Sequence, residues 1–132
     1  PEHREDLRYR CKEGLLRNTL TRRVPVIGAN AIEDVCSRLL ARHGLKREDV
    51  AWWAVHPGGT QVLAQVGKKL DLPESALAYS YAIFKKFGNM SSPSVLFVLK
   101  TLLEQGRPKR GEKGMLLSFG AGFSAYAMLL EF

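Results

Sequence analysis

The stretch VAWWAVHPGG, residues 50–59, decides the architecture of this chain. Val50 to Val55 form a continuous apolar run without polar alternation, entered from the charged turn "REDV" and broken at once by His56-Pro57-Gly58-Gly59. A short apolar run bounded by turn signals predicts a strand covered on both faces, as in an α/β layer. Behind the glycines, Val62, Leu63, Val66 and Leu70 recur at helical spacing, so a helix is expected over about 60–70 with those four side chains inward.

Working outward, "GLLRNTL" (14–20) reads as a strand. A helix is expected from about Ile27 to Arg42, with Ile32, Val35, Cys36, Leu39 and Leu40 on one face and Gly44 as a left-handed cap. Downstream, "ALAYSYAIFKKF" (76–87) is ambiguous. In "GNMSSPS" (88–94), Ser92 suits an N-cap and Pro93 the first helical position. "SVLFVLKTLLEQG" (94–106) is apolar nearly all round and predicts a buried helix. "MLLSFG" (115–120) and "AYAMLLEF" (125–132) predict adjacent strands joined by a tight glycine-containing turn. The order strand, helix, strand, helix, helix, strand, strand predicts a layered α/β fold in one domain, with a mixed sheet and helices packed on it. Open sheets of this class place ligands at strand ends.

The totals agree with that frame. A chain of 132 residues, 45% apolar and 25% charged, fits one globular domain. No apolar run approaches the roughly 20 residues that cross a bilayer, and "PEHREDLRYR" has mixed charge with no signal-peptide core. A cytoplasmic protein without a membrane span is expected. Cys11 and Cys36 form no metal-binding or redox pair, and Cys36 falls on a predicted core face. The net charge of +7 is scattered over short pairs such as Arg22-Arg23 and Lys85-Lys86. No basic run is interleaved with stacking aromatics, so solvated faces explain the charge and nucleic acid is not an expected partner.

Three loops carry the unusual residues, and each has a plain reading beside a chemical one. His56 is either a satisfied core histidine or a catalytic group. The glycines after it either serve a strand-to-helix turn or let a ligand approach the backbone near a helix N-terminus. Asn89, in "FGNMSSP", is either a turn residue or a fixed amide donor. Gly120 and Gly122, flanking Ala121 in "SFGAGFS", form either a hairpin turn or a small-residue wall leaving room for an acyl chain. Together, a histidine and an asparagine without an acid or metal set suit an oxyanion site.

The run "HPGG", then "GNMSS" some thirty residues on, then "SFGAGFS" near the C-terminus, resembles the C-terminal half of a type III polyketide synthase, of the chalcone/stilbene synthase family within the thiolase superfamily. The resemblance covers roughly Leu15 to Phe132. Ketoacyl-ACP synthase III enzymes share that fold but usually lack Pro-Gly-Gly after the histidine. The resemblance implies an acyltransferase with a Cys-His-Asn site, in which His56 and Asn89 are the histidine and asparagine. Such enzymes load an acyl group from coenzyme A onto the cysteine, decarboxylate malonyl-CoA and condense the two. Acyl-CoA and malonyl-CoA are thus the implied ligands, with no separate cofactor and no metal. Gly58 and Gly59 match glycines beside the pantetheine arm, Ser91 a cavity position, and Gly120, Ala121 and Gly122 the cavity wall. Ala121 stands where plant members usually carry proline, a departure that leans toward bacterial-type alkylpyrone or alkylresorcinol synthesis.

The family's nucleophile belongs to an N-terminal half, and neither cysteine is expected to replace it: Cys36 faces a predicted helix core, and Cys11 is expected in a polar segment before the first strand. The expectation is therefore a C-terminal domain, residues 1–132, that needs its missing N-terminal half, is inactive alone and forms a homodimer in the full enzyme. A non-catalytic domain binding CoA or acyl thioesters and a ketoacyl-ACP synthase III-like condensing enzyme are the competing readings.

Overall fold

The computed structural model describes residues 3–132. Its described elements run β1 (Leu7–Lys12), β2 (Leu15–Leu20), α1 (Val24–Arg42), β3 (Val50–Val55), α2 (Thr60–Leu70), α3 (Ala78–Phe87), α4 (Pro93–Thr101), β4 (Lys113–Gly120) and β5 (Ser124–Glu131). β3 pairs in parallel with β4, and β4 antiparallel with β5, giving a mixed sheet of order β3-β4-β5. Parallel neighbours need a long crossover, and here the chain between β3 and β4 supplies α2, α3 and α4.

Side-chain alternation along the strands divides the core in two. Trp53 and Val55 of β3 join Met115 and Leu117 of β4 in a cluster with α1 and α2, where Ile32, Cys36, Leu63 and Val66 are buried. Ala54, on the opposite face, packs with Ile83 of α3, Val98 of α4 and Leu102. The apolar run of β3 thus has helices on both sides, as its composition predicts. The inward positions of α2 are also as expected: Val62, Leu63, Val66 and Leu70 are all buried. Helix α1 closes at Gly44 (φ +64°), whose N–H donates to the Ala41 carbonyl while Leu45 N–H donates to that of Leu40. That pair of bonds is a Schellman closure.

Four expectations need correction. First, β1 precedes the predicted first strand and pairs with β2 as an antiparallel hairpin, so Cys11 lies within a strand and not in a polar segment before one. Its apolar positions Leu7, Tyr9 and Cys11 alternate with Arg8, Arg10 and Lys12. That is period-2 patterning which the surrounding charge obscures. Glu13 and Gly14, both at positive φ, make the two-residue turn.

Second, α1 starts at Val24, ahead of Ile27, with Pro25 in its first turn where a missing N–H has no cost. The ambiguous segment forms a short 3-10 turn and then α3. Third, α4 is not buried all round. Val95 and Val98 are buried, but Leu96 and Phe97 are 60% and 42% exposed. Fourth, Ser92 sits at the head of α4 in helical backbone geometry without a side-chain cap bond. The serine hydroxyl used at this terminus belongs to Ser94, which accepts the Met90 N–H at 2.8 Å.

Candidate functional site

The end of β3 places His56. Its backbone N–H donates to the Leu117 carbonyl at 2.8 Å, continuing the parallel ladder one residue beyond the strand. Pro57 then stops the pairing, and the Gly58 N–H turns back to the His56 carbonyl at 2.9 Å. His56 is 8% exposed. Its Nδ1 is buried with no hydrogen-bond partner among the described residues, so the ring reaches open space through its other edge. Burial lowers the His56 pKa from the usual imidazole value, because desolvation penalises the cation. A Cβ added at Gly58 would lie 3.5 Å from Cδ2 and 3.6 Å from Nε2 of this ring. Glycine keeps that edge uncovered.

The loop after α3 places Asn89 against the same turn. Its Nδ2 donates to the Gly58 carbonyl at 3.3 Å, and its Oδ1 accepts the Ser91 N–H at 2.8 Å. The second bond fixes which way the amide faces. One Nδ2 hydrogen is engaged by Gly58, and the other remains free to donate. Gly88 (φ +69°) and Ser91 (φ +61°) bracket the asparagine in the left-handed region. For serine that conformation is uncommon, and the Asx bond from Ser91 to Asn89 holds it.

These groups share one open cavity of about 340 Å³. His56, Gly58, Asn89, Ser91, Gly120 and Ala121 all line it. Gly59 and Gly122 do not appear in that lining: Gly59 stands at the head of α2, and the Gly122 N–H donates to the Leu7 carbonyl at 2.9 Å, stitching the β4–β5 turn to β1. The loops at the ends of β3, α3 and β4 therefore converge on one space.

Sequence reasoning missed what closes that space on the other side. Leu7 and Tyr9 of β1, with their register partners Leu20 and Asn18 of β2, present one hairpin face to the cavity. The signal was the period-2 alternation of Leu7 and Tyr9. Phe119 was also missed. It stacks on Phe123 (ring centroids 5.7 Å apart, planes 6° apart) and stands edge-on to His56 at 6.4 Å and 83°. Neither cysteine lines the cavity. Cys36 is buried in α1 with its thiol pushed up to about 11, chiefly by desolvation, and Cys11 is exposed on β1.

Comparison with known proteins gives a consistent picture. The family model described as "Chalcone and stilbene synthases, C-terminal domain" matches residues 1–132. The chain is 47% identical over 92 residues to the 1,3,6,8-tetrahydroxynaphthalene synthase of Streptomyces peucetius subsp. caesius, covering 70% of this chain and 24% of that one. It is 33% identical over 130 residues to type III polyketide synthase B of Arabidopsis thaliana, covering 92% and 33%. Among solved structures, a polyketide synthase from the brown alga Ectocarpus siliculosus superposes with a TM-score of 0.89 at 31% identity, over 98% of this chain and 36% of that one. The tetrahydroxynaphthalene synthase of Streptomyces coelicolor A3(2) gives the same TM-score at 28% identity, over 98% and 37%. The chain spans about a quarter to a third of the length of the curated relatives it matches.

Proposed function

Because the chain belongs to the chalcone and stilbene synthase family, as the C-terminal domain of a type III polyketide synthase, we propose that it supplies the histidine and asparagine of a decarboxylative condensing site. The observation that carries the reading is the convergence of the His56 ring edge and the Asn89 amide on one cavity, joined through Gly58.

The chemistry follows from what these groups can donate. Loss of CO2 from malonyl-CoA breaks the bond between the carboxylate carbon and the α-carbon. The electron pair moves into the thioester, and negative charge gathers on its carbonyl oxygen. With Nδ1 buried and without a partner among the described residues, Nε2 is the His56 nitrogen placed to present an N–H to that oxygen. The free hydrogen of Asn89 Nδ2 is the second donor. Two pre-set donors, one on the buried His56 and one on the bonded Asn89 amide, stabilise the enolate without rearranging. The enolate carbon then attacks an acyl thioester. The new C–C bond forms as the C–S bond breaks, and the thiolate leaves.

That thioester needs a cysteine, which the remainder of the enzyme is proposed to supply. Cys36 is buried with a thiol pushed up to about 11, the opposite of an activated nucleophile, and Cys11 lies away from the cavity. Gly58, Ser91, Gly120 and Ala121 leave room for the pantetheine arm and growing chain, and Gly59 starts the adjoining helix. By itself residues 1–132 should then be inactive, and the complete enzyme is read as a homodimer acting on acyl-CoA and malonyl-CoA. The test is CO2 release from malonyl-CoA by the full-length protein and its His56→Ala variant. A loss of about 10²–10³ in rate is expected for one oxyanion donor; an unchanged rate overturns the assignment.

A further inference from the structure

We infer that Phe119 is the positioning residue for His56, and that Gly28 in α1 is the seat that lets it stand there. The inference rests on the functional reading above only for what His56 does once it is positioned.

Among the described residues the His56 ring has no hydrogen bond to fix its orientation, at either Nδ1 or Nε2. A ring without such bonds is held by packing. The Phe119 ring meets it edge-on at 83°, the favourable arrangement for two aromatic rings. Phe119 is itself clamped on two sides. Phe123 stacks on it, tilted by only 6°, and helix α1 closes over its tip.

The helix contact leaves no slack. A Cβ built at Gly28 would fall 2.6 Å from Cζ and 2.7 Å from Cε1 of Phe119, well inside van der Waals contact. Gly28 has an ordinary helical φ and is buried in the middle of α1's first turns. Its backbone does not require glycine, and glycine in a helix interior is unfavourable relative to alanine. The absent side chain is therefore explained by the Phe119 ring. Any group at Gly28 moves that ring, and with Phe123 stacked on one face the displacement reaches His56 at its edge.

The experiment uses Gly28→Ala, Phe119→Leu and the double variant in the full-length protein. Two quantities are read: kcat and KM for malonyl-CoA decarboxylation, and the rate of His56 modification by diethyl pyrocarbonate, followed by mass spectrometry. Gly28→Ala is expected to lower kcat about 10²-fold, the scale of a catalytic group displaced by about 1 Å, with KM within about twofold. Phe119→Leu is expected to lower kcat about tenfold and raise His56 modification about tenfold, the scale of one aromatic contact. The shorter leucine clears the Gly28 methyl, so the double variant should match Phe119→Leu alone. A Gly28→Ala kcat within about threefold of wild type, or a Gly28→Ala effect that persists at full size in the Phe119→Leu background, overturns the inference. If Gly28→Ala does not fold, Phe119→Leu decides: unchanged His56 modification overturns it. Modification needs no turnover, so a full-length protein that fails to decarboxylate malonyl-CoA sinks the functional reading and still tests this one.

Discussion

Asn89 donates its side-chain amide to the backbone carbonyl of Gly58 at 3.3 Å, so the loop after α3 and the turn after His56 form one unit. The same amide accepts the Ser91 N–H through Oδ1. Asn89 is thereby oriented from both ends, with one hydrogen left over. This double use makes it sensitive to a change that alters no volume.

Asn89→Asp keeps the acceptor for Ser91 but replaces the donor with a second acceptor, facing the Gly58 carbonyl. We expect malonyl-CoA decarboxylation by the full-length protein to fall about 10²–10³-fold, the loss of one oxyanion donor. Asn89→Gln, with the donor restored on a longer arm, should recover only part of it. Steady-state CO2 release measures both.

The buried His56 makes stability depend on pH in a defined direction. Its folded pKa is lowered by desolvation, so below the ordinary imidazole range the unfolded chain takes up a proton that the folded chain resists. Stability from this group is complete above that range and is lost as pH falls toward the folded value. Thermal melts at pH 7.5 and 5, taken with His56→Gln, should show the wild-type midpoint falling more steeply than that of the variant. Parallel slopes would count against a buried neutral histidine.

The two cysteines should separate cleanly under alkylation. Cys36 is 1% exposed and its thiol is pushed up to about 11, while Cys11 is exposed on β1. At pH 8, iodoacetamide should label Cys11 in the native protein and reach Cys36 only after denaturant is added. Peptide mass spectrometry reads the order.

Gly44 and Leu102 test the fold at two points far from the site. Gly44 sits at φ +64°, and none of the other described residues comes within 4 Å of where a Cβ would stand. Gly44→Ala therefore pays only for a left-handed backbone, about 1–2 kcal/mol. Leu102 is 1% exposed, and Leu102→Ala should remove about 2–5 kcal/mol. Leu96→Ala, on the exposed side of α4, should stay within about 0.5 kcal/mol. Urea denaturation of the 132-residue chain gives all three.

Much of this molecule was legible in order along the chain. The apolar run 50–55, the helical spacing of Val62, Leu63, Val66 and Leu70, and the glycine cap at Gly44 each report a local property, because strand burial, helix faces and positive φ are decided by neighbours a few residues away. For the same reason the motifs around His56, Asn89 and Gly120 were readable as short strings. What only the tertiary structure decided is which of these strings meet. The Asn89–Gly58 bond spans 31 residues, and the Gly122–Leu7 bond joins the last turn to the first strand. The Phe119 ring occupies the space left by Gly28, ninety-one positions earlier by number, through packing that no local pattern encodes. Likewise, an apolar helix sequence cannot say which of its faces finds a partner: in α4, Val98 is covered and Leu96 is not, because burial depends on what the sheet and α3 bring to it.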